Sequence, residues 1–253
     1  MLFATDELSC DSFLGEKLKI WQPLSGYRAG ADPVFLAAAV GAKPGQSVLE
    51  LGCGAGVASL CLARRVPGVL VHGVELQEKY ATLSRLNGAE NDIGFHVTTA
   101  DICALPADLR DQSFDHVFAN PPYFIGGQRT AADDAGKEIA LAGETPLGAW
   151  VDIGTRRLKP GGYLTIIQKA ERLDDVLSAL DARLGSVCVK PLAARSGRGA
   201  DVVIVSARKG GRAKFSLLAP LILHQGDKHV RDGDSYSQAA RQVLRDGAAL
   251  DVR

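Results

Sequence analysis

The sequence predicts an α/β fold with a seven-stranded, mostly parallel sheet, helices on both faces and the last strand antiparallel. Through the middle of the chain, short β-branched runs alternate with helix-like segments. Single helices between strands imply right-handed crossovers and therefore parallel neighbours. The last two β-branched runs have no helix between them, which favours an antiparallel pair at that side of the sheet.

The predicted elements follow one another from residue 47 onward. Strands are expected at Ser47–Leu51, Val69–Val74, Phe95–Thr99, Phe114–Ala119, Tyr163–Gln168, Val187–Pro191 and Val202–Ala207. Helices are expected at Val57–Arg65, Gln77–Glu90, Pro146–Leu158 and Leu173–Leu184. A Lys-Pro-Gly-Gly turn is expected at Lys159–Gly162 before the fifth strand, and the loop Arg195–Gly199 is expected to join the last two strands.

Two segments fall outside this alternation. Residues 1–45 precede the first strand of the pattern and are expected to form an N-terminal cap on a domain of residues 46–253, the whole chain folding as one compact unit. Residues 125–144 form a long connection containing glycine and alanine, which makes them a candidate lid.

Composition excludes several classes of protein. The 253 residues carry a formal net charge of zero, so a nucleic-acid partner requires a local basic patch. The five cysteines are scattered, without metal-ligand spacing, and favour reduced thiols in the cytoplasm and no bound metal. The sequence predicts neither a signal peptide nor a membrane span.

A glycine-rich bend follows the first predicted strand, at Gly52, Gly54 and Gly56. Ligands of mostly parallel sheets bind beyond the carboxyl ends of the strands. Glycines there allow a tight turn and remove the Cβ atoms that would block a ligand lying against the backbone. The bend is therefore a candidate cradle for a nucleotide or an amino-acid group.

Acidic residues stand at three strand ends beside this bend. Glu75 is placed to accept hydrogen bonds from ribose hydroxyls, and Asp101 from an adenine amine while Ile102 packs on the ring. Glu50 is a candidate ligand for a cofactor amine, or else a structural acceptor for loop N–H groups. Alternatives for the others are a solvated strand-end acid at Glu75 and a helix N-cap at Asp101.

The glycine spacing separates two cofactor classes. The bend reads G-x-G-x-G, whereas the dinucleotide fingerprint is G-x-G-x-x-G. No Gly-Lys-Ser/Thr is present, which disfavours a phosphate-binding P-loop. The order and spacing therefore favour S-adenosylmethionine (SAM) over NAD.

The sequence Asn120-Pro121-Pro122-Tyr123 directly follows the fourth predicted strand. The two prolines fix φ and lack N–H donors, so the turn presents a rigid rim of acceptors, the Asn120 side-chain oxygen and the Pro121 carbonyl. Two acceptors that grip a flat amine favour a pyramidal nitrogen and direct its lone pair at a sulfonium methyl. Tyr123 is a candidate for stacking on the planar target. The alternative is an ordinary surface turn.

The chain resembles class I SAM-dependent methyltransferases with a Rossmann-like fold, on the motifs Glu50–Gly56, Glu75, Asp101, Asn120–Tyr123 and Lys159–Gly162. The Asn-Pro-Pro-Tyr motif resembles the branch that methylates amines, including adenine-N6 nucleic-acid enzymes and protein-glutamine methyltransferases. More narrowly, the whole chain is similar to bacterial tRNA1(Val) (adenine37-N6)-methyltransferases, with supporting segments at Tyr27–Leu36 and from His224 to Gly247.

The resemblance implies a role for each matching residue. The three glycines would line SAM, Glu75 would hold its ribose and Asp101 its adenine. Asn120 and Pro121, within a catalytic corner that also includes Pro122, would grip the target amine. Arg28 and Asp32 match the family's flank and are placed near the site, with a solvated arginine and a helix N-cap as the alternatives.

Residues 190–214 carry the one strongly basic stretch of the chain. Seven cationic side chains stand there against one carboxylate: Lys190, Arg195, Arg198, Arg208, Lys209, Arg212 and Lys214, against Asp201. The stretch is a candidate phosphate footprint, with Arg195 and Arg198 as candidate substrate contacts, or else a solvated loop pair. The stretch favours RNA as the partner, and the resemblance implies tRNA.

Three functions remain open on the sequence. The first is methylation of adenine-N6 in tRNA, with guanine-N2 as a close variant. The second is a protein-glutamine N5-methyltransferase, whose amide would sit in the same rim. The third is a module that binds SAM or RNA without turnover, and small-molecule targets also fit the motifs.

Overall fold

The computed structural model describes residues 3–123, 145–226 and 235–252. The candidate lid at 125–144 lies outside the described residues. Among the described residues, no helix is both long enough and apolar enough to cross a bilayer.

Two sheets contain the strands of the described residues. The smaller sheet is an antiparallel hairpin of β1 and β2, and the strands from β3 onward belong to the larger one. The strands are β1 Leu8–Phe13, β2 Leu18–Pro23, β3 Ser47–Leu51, β4 Leu70–Glu75, β5 Phe95–Thr99, β6 Phe114–Ala119, β7 Leu158–Lys169, β8 Leu184–Ala193, β9 Ala200–Lys209, β10 Ser216–Leu217 and β11 Leu221–Ile222.

Helices connect most of the parallel strands. The α-helices are α1 Asp32–Ala39, α2 Val57–Arg65, α3 Glu78–Glu90, α4 Ala107–Arg110, α5 Leu147–Arg157, α6 Leu173–Ala179 and α7 Gln238–Arg241. Short 3₁₀ turns lie at Thr5–Glu7, Ile102–Ala104 and Ala170–Arg172, and a π-helical turn lies at Gln242–Asp246.

The larger sheet has the strand order β5-β4-β3-β6-β7-β9-β8 at its centre. The run from β5 to β7 is parallel throughout, and β9 is antiparallel to both β7 and β8. The predicted α/β fold is confirmed, including the antiparallel last strand. In the described residues two further two-residue strands, β10 and β11, pair with β8, so this sheet has nine strands rather than the expected seven.

Several expected boundaries shift in the structure, and two differ most. The Lys159–Gly162 segment is not a separate turn but part of β7, where the pairing with β6 shifts register between Phe114 and His116. The helix expected to continue to Leu184 ends at Ala179. A local turn at Asp181 replaces the rest of the expected helix. The Asp181 side chain accepts the Arg183 N–H, and the Asp181 carbonyl accepts the Leu184 N–H.

The sheet separates two hydrophobic cores. Alternate residues of a strand point to opposite faces. Accordingly, Val48 of β3 packs with α1 and α2, whereas Leu49 and Leu51 pack with Trp150 of α5 on the other face. Glu50 shares the face of Val48, which directs its carboxylate toward α2.

The N-terminal hairpin is attached to α3 by side-chain amides. Asn87 accepts the Trp21 N–H at 2.8 Å and donates to its carbonyl at 3.0 Å. Asn91 makes the same reciprocal pair with Lys19, at 2.9 and 2.7 Å. These two amides give β2 the backbone partner that an adjacent strand would provide. The chain that follows β2 is thereby held beside the carboxyl ends of β3 and β4.

Candidate active site

A cleft of about 230 Å³ opens at the carboxyl ends of β3, β4 and β6. Its walls contain the glycine bend, the acidic strand ends and the Asn-Pro-Pro-Tyr corner together. The lining residues among the predicted ones are Glu50, Gly52, Gly54, Glu75, Asp101, Ile102, Asn120, Pro122 and Tyr123. Gly56 and Pro121 are adjacent in the chain to lining residues but do not line the cleft themselves.

The glycine bend has a left-handed backbone at all three glycines, with φ of 66° at Gly52, 53° at Gly54 and 86° at Gly56. A Cβ at Gly52 would lie 2.7 Å from the Trp150 ring, and one at Gly56 would lie 2.7 Å from the Phe95 ring. Two of the glycines are therefore required by the protein's own aromatic packing. The expectation that every missing Cβ makes room for a ligand is corrected accordingly.

Glu75 ties the bend to the end of β4. Its Oε2 accepts the Gly54 N–H at 2.9 Å, and its Oε1 accepts the Gln77 N–H at 2.9 Å. Burial raises the pKa of this carboxyl, and the backbone donors oppose the shift. Each oxygen keeps acceptor capacity toward the cleft, because an ionised carboxylate offers about four lone-pair sites.

Glu50 lies buried at the floor of the cleft. Ser59 of α2 donates to its Oε2 from the backbone at 3.0 Å and from the hydroxyl at 2.5 Å. Burial raises the pKa of Glu50 to about 8, against the lowering effect of these two donors. The group therefore titrates close to neutral pH. A cation that approaches it would favour its ionised form.

Asp101 and Ile102 form the wall below β5. The Asp101 side chain accepts the Cys103 N–H at 2.8 Å and so caps the 3₁₀ turn Ile102–Ala104. The N-cap interpretation is thus correct, and the same exposed carboxylate also borders the cleft. Ile102 is buried and contributes apolar surface beside it.

The Asn-Pro-Pro-Tyr corner is held by three side chains from outside the motif. Asn120 Nδ2 donates to Tyr27 Oη at 3.4 Å, Gln168 Nε2 donates to the Pro121 carbonyl at 3.4 Å, and Tyr123 Oη donates to Asp32 Oδ2 at 2.6 Å. The corner turns toward the cleft, where Asn120 and Tyr123 face the side that holds the glycine bend.

Two tyrosines near the corner are kept neutral by their surroundings. Burial, followed by the Asp32 carboxylate, raises the pKa of Tyr123. Tyr27 is 46% exposed, yet its ring stands inside the concave cleft. Burial of the phenol within the cleft, followed by the Glu50 and Asp32 carboxylates, raises the pKa of Tyr27. Both hydroxyls therefore act as hydrogen-bonding groups and not as bases at neutral pH.

Several residues of this site were not among the predicted site residues. Tyr27, Tyr80 and Trp150 line the cleft, and Gln168 and Lys169 support the corner from the end of β7. The Lys169 ammonium lies 5.0 Å from the centre of the Tyr123 ring. One signal was present in the sequence, because Gln168 ends the predicted strand that comes after the one carrying the motif, and Lys169 follows it directly.

Arg28 does not face the cleft, contrary to expectation. Its guanidinium donates to Asp11 at 2.6 Å, to the Pro23 carbonyl at 2.7 Å and to Ser9 at 2.9 Å. The arginine is exposed, in agreement with the solvated alternative, but its guanidinium is engaged, and all three of its partners belong to the N-terminal hairpin. Its role in the structure is to fasten the hairpin to the segment that follows it.

The basic stretch is divided between opposite ends of the sheet. β9 is antiparallel to β7, with Val202 opposite Lys169 at the cleft end and Arg208 opposite Tyr163 at the other. Arg208 and the cations that follow it therefore lie about 20 Å away from the cleft edge. The single continuous footprint expected from the sequence is wrong.

Several of these cations also bind the protein itself. Arg195 is buried and donates to the carbonyls of Gln225 and Gly226, each at 2.6 Å. Lys209 donates to the carbonyls of Thr155 and Leu158, at 2.9 and 2.7 Å. Arg198 alone of the two named candidates is exposed. Arg195 is therefore withdrawn as a substrate contact.

Charge within the cleft is one-sided. Glu50, Glu75 and Asp101 line it, and none of the described lining residues is a lysine or an arginine. No cluster of metal-ligating side chains occurs among the described residues.

Curated relatives match most of the chain. The chain is 31% identical over 175 residues to a tRNA1(Val) (adenine(37)-N6)-methyltransferase of Porphyromonas gingivalis, covering 66% of this chain and 68% of the relative. It is 28% identical over 227 residues to the enzyme of the same name from Dickeya chrysanthemi, covering 87% of each chain.

A solved structure matches most of the fold. The crystal structure of a predicted O-methyltransferase from Agrobacterium tumefaciens superposes with a TM-score of 0.70 at 23% identity, covering 87% of this chain and 98% of that one. The family model of the methyltransferase small domain matches residues 32–190, more than half of the chain. This protein is therefore a methyltransferase of the small-domain family, with the class I Rossmann-like fold.

Proposed function

We propose that the chain transfers the methyl group of SAM to the N6 amine of an adenine in tRNA. One observation carries the proposal: Asn120 and Tyr123 line the same cleft as Gly54 and Glu75. The acceptors that would hold a target amine and the groups that would hold a methyl donor thus share one enclosed space. In-line placement of two bound reactants can supply roughly 7–11 kcal/mol of the barrier.

The cleft residues fit SAM. Glu75 offers acceptors to the two ribose hydroxyls, and Asp101 offers one to the adenine amine beside the apolar surface of Ile102. Glu50 lies close enough to the bend to neutralise a ligand amine when ionised. When bound, SAM supplies an electrophilic methyl group on a positively charged sulfur.

The charge of the cleft favours SAM over a dinucleotide. Three acidic side chains line it, without a lysine or arginine among the described lining residues, and an approaching cation would favour the ionised form of Glu50. A pyrophosphate would be repelled there, whereas a sulfonium and an ammonium would be attracted. This electrostatic argument agrees with the G-x-G-x-G spacing and is independent of it.

The corner residues prepare the amine for attack. Because Asn120 Nδ2 donates to Tyr27, its Oδ1 remains an acceptor for one amine hydrogen. The Pro121 carbonyl lies between two lining residues in the chain without lining the cleft itself; its second lone pair, beyond the one that Gln168 uses, would accept the other hydrogen as the target amine enters. Gripping both hydrogens turns the nitrogen lone pair toward the methyl carbon.

The reaction needs no strong base. As the nitrogen–carbon bond forms, the carbon–sulfur bond breaks and its electron pair stays on sulfur. The methylated nitrogen is positively charged and therefore acidic, so its extra proton passes to water. The residues of the corner thus act by orientation and hydrogen bonding.

Two features support tRNA as the substrate. The two relatives described above bear the name of a tRNA adenine-N6 enzyme, one of them over 87% of each chain. The cations Lys169 and Arg198 stand at the cleft end of the sheet, where a phosphate backbone would cross. The target adenine must be unstacked to reach Asn120.

The five cysteines are free thiols, which is consistent with a protein that acts in the reducing cytoplasm.

The test is nucleoside mass spectrometry of bulk tRNA from a deletion strain carrying the wild-type gene or the Asn120→Ala variant. We expect N6-methyladenosine to disappear in the deletion, to return with the wild type and to stay absent with the variant. Loss of a guanine-N2 methyl group instead would reassign the base.

Purified protein separates the remaining alternatives. Labelled SAM is incubated with tRNA and, in parallel, with ribosomal and release-factor proteins. Label in protein alone would replace the tRNA proposal by the glutamine one. SAM binding without transfer to either substrate class would indicate a module without turnover.

A further inference from the structure

The segment before the first strand of the large sheet touches the corner at two points. Tyr27 receives the Asn120 amide, and Asp32 receives the Tyr123 hydroxyl. Building on the proposed function, we propose that Tyr27 and Asp32 are positioning residues, which set the orientation of Asn120 and Tyr123 for the target base.

Asp32 is fixed by the helix to which it belongs. It is the first residue of α1, whose next seven residues are buried. The cap residue is Ala31, and no side chain caps the helix, so the N-cap alternative given for Asp32 is wrong. Its carboxylate is directed at Tyr123 Oη, 2.6 Å away. Hydrogen bonds to an ionised acceptor are shorter and roughly twice as strong as neutral ones.

Tyr123 is restrained at its hydroxyl and over its ring. Asp32 holds the hydroxyl, and the Lys169 ammonium lies 5.0 Å from the ring centre. Because the hydroxyl and one face of the ring are both engaged, the plane of the Tyr123 ring is defined before a substrate arrives. A base that stacks on this ring then meets a surface of fixed tilt, which reduces the ordering cost of binding.

Tyr27 is held in turn by Tyr80. The hydroxyl of Tyr80 accepts the Tyr27 N–H at 3.0 Å and donates to the Tyr27 carbonyl at 3.2 Å. The Tyr27 phenol oxygen then faces Asn120 as an acceptor. With Nδ2 engaged by Tyr27, Oδ1 is the end of the Asn120 amide that is left for the target amine. The opposite orientation would present N–H donors to the target amine and repel it.

A double-mutant cycle tests the role of Asp32. Asp32→Ala is compared in the wild-type and Tyr123→Phe backgrounds, by single-turnover methyl transfer to tRNA and by SAM affinity. In the wild-type background we expect the rate to fall about tenfold or more, with SAM affinity unchanged. In the Tyr123→Phe background the same change is expected to have no further effect. An equal loss in both backgrounds, or no loss in the wild type, would overturn the proposal.

Asp174→Ala is the matched control, because Asp174 is an exposed acidic residue in the first turn of α6. It reports the effect of losing a first-turn carboxylate alone and should leave the transfer rate unchanged. For Tyr27, the pair is Tyr27→Phe against Tyr163→Phe, since Tyr163 lies in β7 about 20 Å from Lys169 and the cleft end of that strand. Only Tyr27→Phe is expected to slow transfer, and equal rates would remove Tyr27 from the proposal.

A second readout does not depend on the substrate. The chain has five tyrosines, so ¹³Cζ-tyrosine labelling gives a spectrum that Tyr→Phe variants assign. We expect Asp32→Ala to move the Tyr123 resonance and to leave that of Tyr163 in place. If the wild type methylates no tRNA, the proposed function fails, and this spectrum still decides the positioning role. An unmoved Tyr123 resonance would reject it.

Discussion

The side chain of Gln168 spans the gap between two neighbouring strands and donates a hydrogen bond to the carbonyl oxygen of Pro121, 3.4 Å away. Gln168 is completely buried near the end of β7. Its own Oε1 accepts the Lys169 N–H at 2.8 Å. Both the Nε2 and the Oε1 of the Gln168 amide are therefore engaged. As a result, the Pro121 carbonyl is oriented by a residue of a neighbouring strand and not by its own loop.

Replacing Gln168 with Met should therefore lower the rate of methyl transfer. We expect a loss of about tenfold, because one buried hydrogen bond is worth roughly 1–2 kcal/mol. SAM affinity should be unchanged, since Gln168 does not line the cleft. Thr155→Val is the control, because it removes a buried hydroxyl bond to Val151 within α5. If both variants slow transfer equally, general destabilisation would explain the effect.

Gly54→Val should abolish SAM binding without unfolding the protein. The backbone of Gly54 has φ of 53°, a conformation that a β-branched residue resists, although its Cβ would have space 3.7 Å from Tyr27. Distortion there would remove the N–H that Glu75 accepts. Calorimetric titration with SAM measures the loss. Gly94→Val, at an exposed glycine with open space around it, should bind SAM as the wild type does.

Glu50 should make the ligand-free protein less stable at alkaline pH. Its pKa in the folded state, about 8, is above the ordinary value of 4.5, so the folded state holds the proton more tightly than the unfolded chain does. The contribution to stability is complete below about pH 4.5 and is lost as the pH rises through 8. Glu75, whose pKa is also raised, acts in the same direction.

Denaturant unfolding of the wild type and Glu50→Gln at pH 6 and pH 9 measures this effect. We expect the free energy of unfolding of the wild type to fall by a few kcal/mol between the two, and that of Glu50→Gln to fall by less. Glu90→Gln removes an exposed carboxylate and serves as the control. A wild type whose stability rises with pH over this interval would contradict the assignment.

Arg198 and Arg195 should behave differently toward RNA. Arg198 is exposed in the loop at the cleft end of the sheet, so Arg198→Ala should reduce the slope of log affinity against log salt by about one. Arg195→Ala should instead lower stability, because two carbonyls lose their donor. Arg212→Ala, at the far end, should change neither. A slope unaffected by Arg198→Ala would remove that arginine from the RNA contact.

The sequence predicted the cofactor half of the site better than the chemical half. Strands β3, β5 and β6 and helix α2 have the predicted bounds, because their hydrophobic runs end at clear glycine, proline or polar residues. The bend and Glu75 are also only 21 positions apart in the chain, at the ends of consecutive parallel strands. Position in the chain was therefore a sufficient guide to position in space.

Long-range contacts account for what was missed. Nothing local distinguishes the Asp32 that binds Tyr123 from one that caps a helix, since 91 residues separate the two. The basic stretch was misjudged for a related reason. Its antiparallel strand was foreseen, but an antiparallel strand carries its two ends to opposite edges of the sheet, so cations close in sequence became distant in space.

The contrast between near and far contacts also bears on how the enzyme assembles. Gly54 bonds a residue 21 positions later, whereas Tyr123 and Asn120 bond partners 91 and 93 positions earlier. Contacts of low sequence separation close faster during folding. A refolding chain should consequently regain its affinity for the methyl donor before it regains turnover. The delay between the two recoveries measures how long the N-terminal segment takes to dock.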